Sequence, residues 1–258
     1  MLKWCSYCQQ FMQEIAPYDD FSISHGLCTS CDASLKDPFA NHEIERSLFL
    51  SGVFHRLFDA GRHEDFNTAA RIVERAIAAN CRPVDILIGM LSPMLYEIGE
   101  EWKRGALSVE AEHRFTAFSE RVVRLVESRI GAAAAPSSRP GTTLLFLMNA
   151  PGNRHRLAVR ILALWLKGRG ARVRIVDGDL DHARLLHSIA AERPDYLLIS
   201  MAVIEQRDRV VEICGAAQAL PQDVRPKIVV GGYPVKAGLI ESIPGAELLS
   251  DITVLQIA

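Results

Sequence analysis

Four of the six cysteines stand in two Cys-x-x-Cys pairs, Cys5 with Cys8 and Cys28 with Cys31, separated by nineteen residues. Thiolates paired in this way can converge on one ion, and the spacing suits a closed, tetrahedral zinc site. Two reduced pairs without metal, or a redox pair, are the competing readings. His25, three residues before Cys28, is a further ligand type within reach; its plainer reading is a solvated or hydrogen-bonding neighbour. Cys81 and Cys214 lie alone in apolar stretches. This usage points to a reducing, cytoplasmic setting and not to a disulfide framework.

Two further groupings could bind a ligand. Trp102 is followed, after nine residues, by the adjacent pair Glu112 and His113. By itself such a Trp is more often core than binding surface. The Glu-His pair could equally be a solvated helix start. The second grouping is "NAPGNRHRLA", which begins at Asn149 and holds His155. It follows an apolar strand and opens a helix, where a side chain stands at the mouth of a sheet. Gly231 and Gly232 end a later strand. Glycines there let a backbone pass close to a ligand, or simply make a tight turn.

The elements that must position these residues fall into three segments. Residues 1–37 carry the cysteine pairs and little regular structure. Residues 38–133 show helical periodicity throughout, with helices expected over about 41–60, 64–80, 83–104 and from Ser108 onward. The third carries Leu87, Leu91, Met94 or Leu95, Ile98 and Trp102 at helical spacing, with Pro93 inside it. The fourth carries Phe115, Phe118, Val122 and Leu125. Short connections between amphipathic helices predict a four-helix bundle. A small-residue linker, "GAAAAPSSRPG", covers 131–141. Over 141–258, near-continuous apolar strands at 143–148, 171–177, 194–200 and 227–232, with a short fifth near 246–251, alternate with helices. That pattern predicts a doubly wound, flavodoxin-like parallel sheet, with ligands at the carboxyl ends of its strands.

The bulk properties bound the function. The chain has 258 residues, 49% of them hydrophobic and 23% charged, with a net charge of −2. That balance argues against a general nucleic-acid or membrane-surface binder. No apolar run reaches the roughly 18 residues of a spanning helix, and no signal peptide is evident. Neither a nucleophile elbow nor a P-loop is present, so a non-enzyme is expected.

The order of helical segment, linker and α/β segment with a His in the first loop resembles the cobalamin-binding proteins. There the loop reads Asp or Glu, x, His, x, x, Gly. His155 takes the His position, Asn153 the carboxylate position and Ala158 the Gly position. The resemblance implies a four-helix cap over a Rossmann-like domain, with His155 as lower ligand of cobalt. It implies that Ser200, in "SMAV", contacts the buried base. It implies that Gly231 and Gly232 line the channel of the nucleotide tail. The spacing of Trp102, Glu112 and His113 resembles the cobalamin-dependent photoreceptor regulators, whose cap residues cover the upper face of the corrin; adenosylcobalamin is the form this implies. Two departures stand out. Asn153 cannot supply the carboxylate that orients a ligating His, and Lys103 replaces the His that follows the Trp in those photoreceptors. The cysteine stretch resembles zinc-ribbon modules appended to bacterial sensor kinases and response regulators.

The fold expected is therefore multi-domain: a zinc ribbon, an all-α cap and a Rossmann-like sheet. The function the resemblance implies is a sensor of light or cofactor supply that signals to a protein partner, such as a transcription regulator or kinase. Direct DNA contact is not expected, since no helix-turn-helix precedes the cap; homo-oligomers are compatible with the family. The competing expectations are a corrinoid carrier in methyl transfer, a sensor of another tetrapyrrole such as haem or a bilin, and an adaptor that binds nothing.

Overall fold

The computed structural model describes residues 1–34, 42–130 and 142–255. The linker expected over 131–141 lies outside the described residues, as does the boundary expected between residues 37 and 38. The chain divides into two compact units, Met1–Ala133 and Ala134–Ala258. No helix among the described residues is long and apolar enough to cross a membrane.

The first unit opens with three short strands, β1 (Leu2–Cys5), β2 (Phe11–Glu14) and β3 (Ile23–Gly26), followed by helix α1 (Thr29–Ser34). They form a sheet in the order β2-β1-β3, more regular structure than the cysteine-rich stretch predicts. The helices that follow are α2 (His42–Arg62), α3 (Phe66–Ala78), α4 (Pro83–Ile86), α5 (Ser92–Lys103) and α6 (Val109–Ile130). A π-turn over Leu87–Leu91 joins α4 to α5, so the expected third helix is one continuous rod with a widened turn. Pro93 is the cause. It has no N–H to offer the carbonyl four residues back, and its ring crowds that carbonyl. Widening the spiral just before it relieves the clash, and the Ser92 N–H reaches back five residues to the Leu87 carbonyl.

The bundle core follows the apolar stripes. Leu87, Leu91, Met94 and Ile98 are buried, as are Phe115, Phe118 and Val122. On α6 the stripe continues through buried Val126, while Leu125 is only half-buried. Ser108 caps α6 as expected, its hydroxyl accepting the Ala111 N–H at 3.2 Å.

The second unit is a five-stranded parallel sheet, β4 (Leu144–Asn149), β5 (Arg172–Val176), β6 (Tyr196–Met201), β7 (Lys227–Gly232) and β8 (Glu247–Leu248). Helices α7 (Arg156–Gly168), α8 (His182–Glu192), α9 (Arg207–Gln218) and α10 (Tyr233–Lys236) connect the strands. The order β5-β4-β6-β7-β8 is the doubly wound one. Phe146, Met148, Leu197, Ile199, Ile228 and Val230 share one face and bury against α8 and α9. The neighbours of opposite parity, Leu145, Leu147, Leu198 and Val229, are buried on the other face. Burial on both faces explains why β4, β6 and β7 read as near-unbroken apolar runs, whereas β5, at the edge, carries Arg172 and Arg174 and is largely exposed.

Gly232 locks the end of this sheet. It sits at φ +105°, and a Cβ there would lie 2.0 Å from the Met201 carbonyl oxygen. No side chain can enter that space without parting β6 from β7. Gly232→Ala is therefore expected to lose at least about 1–3 kcal/mol of stability; an unchanged thermal melting curve would contradict this account.

Candidate cofactor and metal sites

The strand order changes direction between β4 and β6, and the crevice at their carboxyl ends is where such sheets bind ligands. Register places Asn149 beside Ser200, and Ser200 beside Gly231, as one row across three strands. The Ser200 carbonyl accepts the Ala150 N–H at 2.9 Å. It also accepts the side-chain amide of Asn153 at 3.1 Å. The same amide reaches Asn149 Oδ1 at 3.3 Å. The Asn153 side-chain oxygen accepts the His155 N–H at 2.9 Å. From the β5–α8 loop, Asp179 Oδ1 accepts the Gly152 N–H at 2.9 Å.

These contacts explain the asparagine. Its amide donates to a backbone carbonyl, which a carboxylate cannot do, and its oxygen holds the backbone of the His155 residue. Both ends of Asn153 are spent on the loop. His155 stands at the N-cap of α7, exposed, with no capping bond from its ring. Ala158 is exposed one turn on, so its methyl displaces nothing in the packed interior.

Sequence reasoning missed Gln206. It is buried, and its Oε1 accepts the N–H groups of Ala202 at 2.8 Å and Val203 at 3.3 Å. This ties down the loop after β6. A Gln reaching back to the start of a helix is the readable signal. The tethered loop holds Val203 and Ile204 at 44% and 43% exposure. Apolar side chains at the mouth of a sheet suit the face of a large planar ligand. Gly231 and Gly232 adjoin that mouth, although the close approaches to Leu249 and Met201 already demand glycine there. An exposed imidazole, a tethered apolar loop and side-chain-free strand ends fit a corrinoid. Asn153 stands where a carboxylate would back the imidazole, and its side chain is turned to the Ser200 carbonyl instead.

In the helical unit, Trp102 is 46% exposed although it continues the buried stripe of Ile98 and Met94. It therefore belongs to the surface and not to the bundle core. Gly105, at φ +71°, turns the chain between α5 and α6. Beyond it, Glu112 is held by the Thr116 hydroxyl at 2.9 Å. The His113 Nε2 lies 3.5 Å from Glu112 Oε2 with its ring open to solvent. Lys103 donates to Glu100 Oε1 at 2.8 Å.

The four cysteines converge. Their sulfurs all lie within 4.8 Å of one another, and Cys8 and Cys28 are 3.7 Å apart. Zinc–sulfur bonds of about 2.3 Å place tetrahedral sulfurs at roughly that separation. The Cys28 N–H points to Cys5 Sγ at 3.4 Å. Burial raises the Cys5 pKa, but N–H donors from Cys8, Cys28 and Tyr7 outweigh it and bring the thiol to about 7. Burial and neighbouring thiols push Cys8 up to about 11 and raise Cys31 further. Four thiols gathered so tightly ionise together only when a cation offsets their charge. The chemistry of this donor set fits zinc.

A B12 binding domain model matches residues 53–127, and a second B12 binding domain model matches residues 144–241. The chain is 28% identical over 167 residues to the HTH-type transcriptional repressor CarH of Myxococcus xanthus, covering 64% of this chain and 52% of that protein. It thus spans about half the length of that relative. The monomethylamine corrinoid protein of Methanosarcina barkeri matches with a TM-score of 0.64 at 15% identity, covering 77% of this chain and 92% of that one. This likeness shows a shared fold.

Asn153→Asp tests the loop. It removes the donor and sets a carboxylate against the Ser200 carbonyl, so a stability loss of about 1–3 kcal/mol is expected. Equal denaturant midpoints for the two proteins would show that the amide contacts carry no weight.

Proposed function

From the chain's membership of the cobalamin-binding proteins that join a helical B12-binding domain to a Rossmann-like one, we propose that it is a sensory regulator and not a catalyst. Its signal is light or cofactor supply, and its output goes to a protein partner. The observation that carries this reading is the exposed Trp102. A tryptophan that continues a core stripe yet stands out of the bundle is costly in water. A ligand face would cover it. Glu112 and His113, brought up across the Gly105 turn, offer a carboxylate and an imidazole on the same helix start.

In this reading His155 would hold the cobalamin at the sheet of the second unit, and Trp102, Glu112 and His113 would be the helical unit's contribution to binding the adenosyl form. Ser200, Gly231 and Gly232 line the way for the tail. Cobalamin supplies a cobalt–carbon bond that light can break. The residues of this chain bind it, shield it, and differ in contact between its two forms. Only such a difference can bias a two-state protein. The imidazole of His155 works without a carboxylate behind it, so its hold on cobalt is weaker than a carboxylate-backed one. The four cysteines hold zinc. The fold shared with a corrinoid protein keeps methyl-group carriage as the second reading. Trp102 argues against it, because a carrier must open its upper face to a partner enzyme.

The test is the absorption spectrum of protein incubated in the dark with adenosylcobalamin and gel-filtered, then recorded after green light. Retained corrin bands that shift on illumination are expected. Trp102→Ala should release adenosylcobalamin more readily than hydroxocobalamin. His155→Ala should remove any nitrogen hyperfine splitting from the spin-resonance signal of the cobalt(II) form. A colourless protein would sink the reading; bound corrin without a light response would leave a dark sensor or a carrier.

A further inference from the structure

The cysteine module is fastened to the helical domain at the widened turn of the rod that carries Trp102 near its end. Trp4 on β1 and Phe11 on β2 are buried. They press on Gly89, in the middle of the π-turn, so closely that a Cβ there would lie 2.5 Å from Trp4 and 2.6 Å from Phe11. The Phe11 N–H donates to Asp85 Oδ2 at 3.2 Å. Asp85 is fully buried and takes two further bonds from the Arg82 guanidinium, at 2.7 and 2.9 Å. Gln9 follows directly on Cys8, and its side-chain oxygen accepts the buried Cys81 thiol at 2.9 Å. β3 packs on α2 as well. A module hung on a linker would need none of these contacts.

Resting on the zinc reading of the four cysteines, we propose that the metal is a structural part of the helical domain. It holds the α4–α5 rod, and so the seat of Trp102, in place. The physical chain is short. Strands of four residues cannot hold a fold alone, so the metal supplies the module's stability. The folded module in turn covers Gly89 and completes the hydrogen bonds of Asp85. Without it, the widened turn and a buried carboxylate meet water on one side. Coupling of this kind is reciprocal: zinc stabilises the rod, and the rod tightens zinc. The face formed by Trp4 and Phe11 is spent inside the unit and is not open to a signalling partner.

The experiment uses the full chain, reduced and free of cobalamin, with zinc present or removed by a chelator. Hydrogen exchange is followed over residues 83–103, and zinc affinity is measured by competition with a chromophoric chelator. Zinc removal is expected to speed exchange in that segment by about tenfold or more, and Gly89→Ala, which touches no ligand, to weaken zinc binding by a similar factor. Cys81→Ala, a milder change at the same contact, should weaken zinc binding less and keeps the test decisive if Gly89→Ala does not fold. Zinc uptake with unchanged exchange and unchanged affinity in both variants overturns the coupling alone. A protein that takes up no zinc overturns the metal reading itself.

Discussion

One backbone oxygen, the carbonyl of Ser200, holds the candidate cofactor site together. It lies near the end of a central strand and takes both the Ala150 N–H and the Asn153 amide. The loop that presents His155 is thereby pinned to the sheet at the point where the strand order changes direction. The pin works because the sheet behind it is rigid. β4, β6 and β7 are buried on both faces, and Gly232 lets β6 and β7 close at their ends. A loop on such a base can hold a ligating side chain in water without a ligand to order it.

The same interaction accounts for the departure from the usual loop. A carboxylate at 153 would repel the Ser200 carbonyl and would have to turn outward, toward the imidazole. The asparagine turns inward and stabilises the loop. The hydrogen bonds of Asn153 thus go to the strand ends and to the loop's own backbone.

In the helical unit the governing constraint is the length of the bundle. The apolar stripe on α5 runs past the point where α2 and α6 can cover it, and Trp102 is left at the surface. The cysteine module closes the opposite stretch of the same rod, where Pro93 forces the π-turn and Gly89 leaves room for two aromatic rings. The rod therefore carries the contact with the cysteine module near its start and the candidate cofactor contact at its end.

Much of this was legible in the sequence. The paired cysteines announced a four-sulfur cluster because knuckle spacing is a local property. The central strands of the second unit were readable because a sheet buried on both faces leaves near-unbroken apolar runs between helical periods. The cap of α6 was readable from Ser108. Other features depended on three dimensions. Periodicity places Trp102 on the core stripe, and only the end of the bundle exposes it. Asn153 reads as a lost carboxylate until the Ser200 carbonyl, forty-seven positions away, is seen to need a donor. Gly89 looks like a flaw in a helix until Trp4 and Phe11 arrive to fill the space. By itself the sequence determined the elements and the sulfur cluster, because local spacing and burial pattern encode them. The tertiary structure alone decided which side chains are spent on the fold and which are left for a ligand, because that depends on partners far along the chain.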